Sequence, residues 1–186
     1  QSTITFDAAS DTDNIFNPGD QDFYNLVING AALTVEVEEP IDVDGDLTIT
    51  NGILDVVTGE DNQINVAGNW TNNGTFTARS GAVVFDGAST QTLSGTMTST
   101  SAFNDLTVTN NSGSYSGCDS TFTPGIDFAA AATINGTYTI TTADSKIEYN
   151  SGSTYTVNNI NWDGGAYNDE IIFRNSNLSL GEWDLD

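Results

Sequence analysis

Apolar residues fall on alternate positions in short runs along almost the whole chain, and Asn, Asp, Gly and Pro separate the runs. Thr3-Ile4-Thr5-Phe6 has the period of two expected of a half-buried strand. Asp11-Thr-Asp-Asn14 and Asn17-Pro-Gly-Asp20 carry turn chemistry, in which Asn and Asp bond their own backbone and Pro fixes φ. Phe23, Leu26 and Ile28 predict the next strand, closed by Asn29-Gly30. Leu33, Val35 and Val37 predict another, with Thr34, Glu36 and Glu38 on its opposite face and Pro40 at its end. The alternation resumes at Ile126, Phe128, Ile134, Tyr138 and Ile140. The four alanines at 129–132 follow Gly125 and have strand-rich flanks, so they read as a strand or tight corner. No amphipathic helix of useful length is predicted.

The runs repeat. Ser2-Thr-Ile-Thr-Phe-Asp-Ala-Ala-Ser10 is echoed at 81–89 and at 145–153, placing Phe6, Phe85 and Tyr149 at matched positions. A second phrase, Phe23-Tyr-Asn-Leu-Val-Ile-Asn-Gly30, is echoed at 103–110 and from Tyr167. The aromatics of the two phrases are 17, 18 and 18 residues apart. A third phrase opens as Val43-Asp-Gly-Asp-Leu47 and again as Val66-Ala-Gly-Asn-Trp70, 23 residues later. After its glycine, Ile53 and Val56 answer Phe76. Repeats of this length signal a stack of coils sharing one core. The expected fold is all-β, a right-handed parallel β-helix of roughly eight coils of about 20–25 residues.

Residues 1–186 read as one such segment, either part of a longer array or a filament subunit. Gln1 is no initiator Met, and Leu178-Ser-Leu-Gly-Glu-Trp183 restarts a phrase seen at Ile64–Trp70. Residues 111–118 depart from the pattern and are expected to protrude from the rod as a loop.

Charge narrows the partners. Three Lys and Arg stand against 26 Asp and Glu, a formal net charge of −23. A phosphate backbone needs a basic footprint, so nucleic acid is excluded as a natural partner. Attachment to anionic lipid is disfavoured for the same reason, and no run of 18 apolar residues predicts a membrane span. Cys118 is the only cysteine, which leaves no intrachain disulfide and reads as a small buried filler.

Gly68-Asn-Trp-Thr-Asn-Asn-Gly-Thr-Phe-Thr77, Gly81-Ala-Val-Val-Phe-Asp-Gly87, Gln91-Thr-Leu-Ser-Gly95 and Phe103-Asn-Asp-Leu-Thr-Val108 resemble the repeats of large secreted bacterial surface proteins. Those proteins are adhesin-like and are often exported through a C-terminal sorting domain. The resemblance covers 64–110 closely and the rest of 2–186 loosely. It implies a β-helix in an extracellular chain, working as a structural spacer or attachment module. Its partners would be flanking repeats, copies of itself stacked end to end or laterally, or cell-surface glycans.

Candidate chemistry is thin. A polysaccharide-active β-helix needs clustered carboxylates with a basic residue, and here the cations are Arg79, Lys146 and Arg174 with no histidine. Asp7 and Asp86 recur at turns in the repeated phrase, which marks structure, so the chain is read as a non-enzyme. Asp42, Asp44 and Asp46, and separately Asp11 and Asp13, offer hard oxygen ligands in turns and are candidate calcium ligands. The twelfth position from Asp42 is Ile53, where an EF-hand requires Glu. Thr-x-Thr pairs recur at uneven intervals, which gives no regular lattice for ordering ice. Sequons at Asn69, Asn73, Asn110, Asn135 and Asn177 matter only in a glycosylating host. Trp70 and Trp183 share one repeat position and read as core rungs. Trp162 lies in the turn-rich Asn159-Ile-Asn-Trp-Asp-Gly-Gly165 and is the candidate exposed platform for a sugar ring.

Overall fold

The computed structural model describes residues 2–9, 11–16, 22–116, 121–164 and 170–176, with backbone only for 11–16. The chain winds into a parallel β-solenoid of about seven turns with essentially no helix; a single 3-10 turn, Ser99–Ser101, interrupts the strands among these residues.

One sheet runs in order through Thr3–Phe6, Asn25–Val37, Leu47–Val56, Trp70–Asn72, Gln91–Gly95, Ile126–Phe128, Lys146–Tyr149 and Ile172–Asn175. Asp11–Phe16 pairs with Asn25–Val37, and Thr75–Thr77 with Leu47–Val56, off that path. A second sheet stacks Asp22–Phe23, Ile41–Val43, Gln63–Val66, Ala82–Phe85, Asp105–Val108, Ala132–Ile140 and Tyr155–Trp162. Every pairing in both sheets is parallel.

The register makes the coil length visible. Leu26 pairs with Leu47, Leu47 with Trp70, Trp70 with Leu93, Leu93 with Phe128 and Phe128 with Tyr149. These six residues form one inward column, each buried. Their numbers step by 21, 23, 23, 35 and 21. The one long step contains an antiparallel hairpin, Ser114–Ser116 with Thr121–Thr123, which forms a sheet of its own. Residues spent on that excursion add no turn to the rod, which brings the count slightly below the eight coils that length alone suggests.

On the second sheet the inward column is Phe23, Val43, Val66, Phe85, Val108, Ile140 and Trp162. The 23-residue interval from Val43 to Val66 is therefore one coil. A third wall closes the early coils, with Val35 on Leu54 and Leu54 on Phe76. The counterpart of Phe76 is Leu54, one residue on from the expected Ile53. The alternation on Asn25–Val37 breaks at Ala31-Ala32, both exposed, and resumes at Leu33, so one strand serves two walls. The alanine run resolves as a corner entering the strand Ala132–Ile140.

Corners are glycine-lined because the coils touch there. Gly52 has φ +80°, and a Cβ on it would lie 2.4 Å from the carbonyl oxygen of Gly30 in the coil before; a Cβ on Gly74 would lie 2.6 Å from that of Gly52. Only hydrogen fits at such a contact.

The expected equivalence of Phe6, Phe85 and Tyr149 is corrected by this register. Phe6 pairs with Ile28 in the first sheet, Tyr149 with Phe128 and Asn175 in that same sheet, and Phe85 with Val66 and Val108 in the second. All walls of a solenoid have the same inward–outward alternation, so one strand phrase fits any of them. Ile4 is also more exposed than a half-buried strand implies, at 41%.

Candidate functional site

Two aromatic clusters fill the rod. Trp70 lies at the centre of the first, with ring centroids 4.9 Å from Phe76, 5.4 Å from Phe103 and 6.3 Å from Phe85. Trp70 is fully buried, as its reading as a core rung requires. Trp183 lies outside the described residues. In the second cluster Phe128 stacks on Tyr149 at 5.2 Å and 7°, and Tyr149 meets Tyr155 edge-on at 4.8 Å. Burial holds the phenols of Tyr138 and Tyr149 well above the usual tyrosine range. They are structural groups, and the Tyr149 hydroxyl reaches that of Tyr138 at 3.4 Å.

Trp162 belongs to this second cluster. Its ring is 4.5 Å from Phe173 and 5.8 Å from Tyr138, and its indole Nε1 is shielded from solvent without a hydrogen-bond partner. Trp162 is half-buried and continues the inward column of Val108 and Ile140, so less of its ring is open than its turn-rich setting suggested. Its turn-rich neighbourhood concealed a strand position.

The candidate calcium ligands Asp42, Asp44 and Asp46 lie on one strand and the corner that follows it. Asp42 faces outward from Ile41–Val43, in register with Asp22 and Asn65. Asp44 and Asp46 are exposed at the following corner. One oxygen of Asp46 is already taken, accepting the Asn69 backbone N–H at 2.7 Å and the Asn69 side-chain amide at 3.0 Å. No group of three or more Asp, Glu, His or Cys is arranged to hold a metal ion among the described residues. Asp11 and Asp13 lie on the strand Asp11–Phe16, and their side chains are outside the described set, as is Cys118.

Asp46 instead belongs to a corner ladder. The Asn25 side-chain oxygen accepts the N–H of Asp46 at 2.8 Å, Asp46 accepts that of Asn69, and Asn69 accepts that of Thr92 at 2.8 Å. Each side chain thus caps the coil that follows. A second polar device lies inside. Gln91 is fully buried: its Oε1 accepts the Gly87 N–H at 2.8 Å and its amide donates to the carbonyls of Val66 and Gly68. Asn110, also buried, donates to Gln91 Oε1 at 3.0 Å and to the carbonyl of Gly125, joining the two sides of the hairpin excursion. The sequon at Asn110 is therefore inaccessible in the folded chain, whereas Asn73 and Asn135 are exposed.

Below Thr92 the same outward column turns charged: Thr92 pairs with Asp127, Asp127 with Glu148 and Glu148 with Arg174. Partial burial raises the pKa of Asp127, and burial plus the Asp127 charge raises that of Glu148 against the opposing pull of Arg174. Arg174 also sits over the ring of Phe122 on the hairpin, 5.4 Å from its centroid. Beside them lies an open groove of about 530 Å³ lined by Tyr115, Phe122, Glu170, Ile172 and Arg174 among others. Neither sequence period nor motif singled out this groove, because it joins a hairpin to a strand two coils further on.

Among the described residues no helix is long and apolar enough to cross a membrane. No protein-family model matches the chain, and neither a curated protein nor a solved structure does.

Proposed function

We propose that the chain is a structural and adhesive module of an extracellular bacterial surface protein or fibre, a rigid non-enzymatic spacer whose ends stack on flanking repeats or on further copies. The observation that carries this reading is the unbroken inward column Leu26, Leu47, Trp70, Leu93, Phe128 and Tyr149. Residues recurring at one position serve the neighbouring coil, as Asn25, Asp46 and Asn69 also do. Seven rungs at the strand spacing give a rod roughly 34 Å long. In a parallel stack the backbone groups of each coil pair with the coils on either side, so a further coil in the same register continues the ladder. The resemblance of 64–110 to adhesin-like repeats supports a secreted, cell-surface setting.

Sedimentation and electron microscopy across a concentration series test it. Rods that lengthen by whole multiples of the monomer support end-to-end stacking. A strictly monomeric particle at every concentration, with no gain in length when flanking repeats are added, refutes it.

Cation-bridged adhesion is the second reading. Asp22, Asp42, Asp44 and Asp86 crowd one corner closely enough that each of the other three raises the Asp42 pKa, after the larger effect of burial. Such a field attracts Ca²⁺ diffusely. A melting temperature unchanged by EDTA and by added Ca²⁺ removes this reading.

A further inference from the structure

The groove between the hairpin and the last described strand has the makings of a ligand site. Its volume of about 530 Å³ falls within the roughly 300–1,000 Å³ usual for ligand clefts. One wall is aromatic: Tyr115 is 50% exposed, and its ring meets Phe122 edge-on at 6.3 Å. The other wall is the strand Ile172–Asn175, which presents Arg174 beside the exposed Glu170. Phe122 is in contact with Arg174, so Tyr115 is the ring left with area to offer.

The groove therefore combines an amphipathic ring, a carboxylate acceptor and a guanidinium that already lies over Phe122 and in register with Glu148. That set matches a pyranose, whose C–H face stacks on an aromatic ring while its hydroxyls both donate and accept. Electrostatics select within that class. Arg174 is in register with Glu148, which is in register with Asp127, and Glu170 lies on the same side. Glu170 is the carboxylate that lines the groove and Glu148 stands in register beside Arg174, so a uronate or sulfated sugar would approach an already acidic wall on a chain of net charge −23. A neutral sugar suffers no such repulsion.

We propose that the groove bounded by Tyr115, Phe122, Glu170 and Arg174 binds a neutral oligosaccharide. This goes beyond the spacer reading and does not depend on it. The hairpin then has a function that the core does not require of it, because the residues it takes from the coil add nothing to the stack.

The test is a printed array of neutral gluco-, manno-, galacto- and xylo-oligosaccharides with polygalacturonate and alginate fragments alongside, probed with the native chain. Calorimetry on the strongest neutral sugar follows, with Tyr115→Ala and Arg174→Gln. Circular dichroism checks that both variants keep the native strand signal. Loss of the stacking ring is expected to weaken binding about tenfold or more, and Arg174→Gln to weaken it by a smaller factor. The proposal is overturned by an array on which no neutral sugar is retained. Retention of acidic fragments alone, or equal affinity for native and Tyr115→Ala, overturns it too. None of those results bears on the length of the rod, which the sedimentation series reads separately.

Discussion

The side-chain oxygen of Asn69 accepts the backbone N–H of Thr92, 23 residues later, at 2.8 Å. Asp46 does the same for Asn69, and Asn25 for Asp46. The corner of each coil, where parallel strands have not yet begun to pair, is thereby tied to the next. Removing one tie exposes a backbone donor to water at the rim rather than burying it, so the cost is modest. Asn69→Ala is expected to lose about 1 kcal/mol, and Asp46→Asn to stay within about 0.5 kcal/mol because an amide oxygen accepts as well. Equilibrium denaturation measures both. A loss for Asp46→Asn as large as for Asp46→Ala would mean that its charge, and not its acceptor geometry, is what matters.

Two glycines with the same backbone twist separate conformational strain from contact. Gly59 has φ +88° with open space where a Cβ would go, whereas Gly52 has φ +80° with the Gly30 carbonyl oxygen 2.4 Å away. Gly59→Ala should cost about 1 kcal/mol, the left-handed penalty alone. Gly52→Ala must also push two coils apart and should cost about 3 kcal/mol or more. Similar losses at the two sites would show that the coils are not in contact at this corner.

These corners were partly legible in the sequence. Asn25, Asp46 and Asn69 each precede an inward residue, Leu26, Leu47 and Trp70, and the steps of 21 and 23 reveal the coil length. The Val43–Val66 interval revealed it too. Absolute register was not legible from Phe6, Phe85 and Tyr149, because alternation is alike on every wall and a matching phrase does not say which wall it builds. Gln91 could have been found: it occupies the inward phase two residues before Leu93, where a polar residue must be bonded inside. The groove could not, since Tyr115 and Arg174 are brought near each other only by winding two further coils past the hairpin.

Trp70 tests how far the core behaves as one body. It packs among Phe76, Phe85 and Phe103 on different walls, and its Nε1 has no hydrogen-bond partner. Trp70→Ala should cost about 3–5 kcal/mol by leaving a cavity. Trp70→Phe surrenders volume but no hydrogen bond, and should cost about half as much or less. Chemical denaturation distinguishes them. An equal loss for both would point to an indole N–H bond through an intermediary such as a buried water.

Asp127 and Glu148, together with Asp42 and Asp86, contribute to the pH dependence. The first two occupy one outward column in adjacent coils, and both have pKa values raised, chiefly by burial and for Glu148 also by Asp127. Asp42 is raised in the same way. A carboxyl whose folded pKa lies above its unfolded value binds its proton more tightly in the folded state. Its stabilising contribution is fully present below the unfolded value, about 4 for Asp and Glu, and is lost as pH rises through the elevated folded value. The rod should therefore melt at a higher temperature near pH 5 than at pH 8, the more so because −23 charges repel along it. Glu148→Gln removes one member of the stacked pair and leaves Arg174 beside a neutral amide. It should raise the melting temperature at pH 8 and flatten the slope between pH 5 and pH 8. A slope unchanged by Glu148→Gln would place the pH dependence in the general charge of the chain and not in this column.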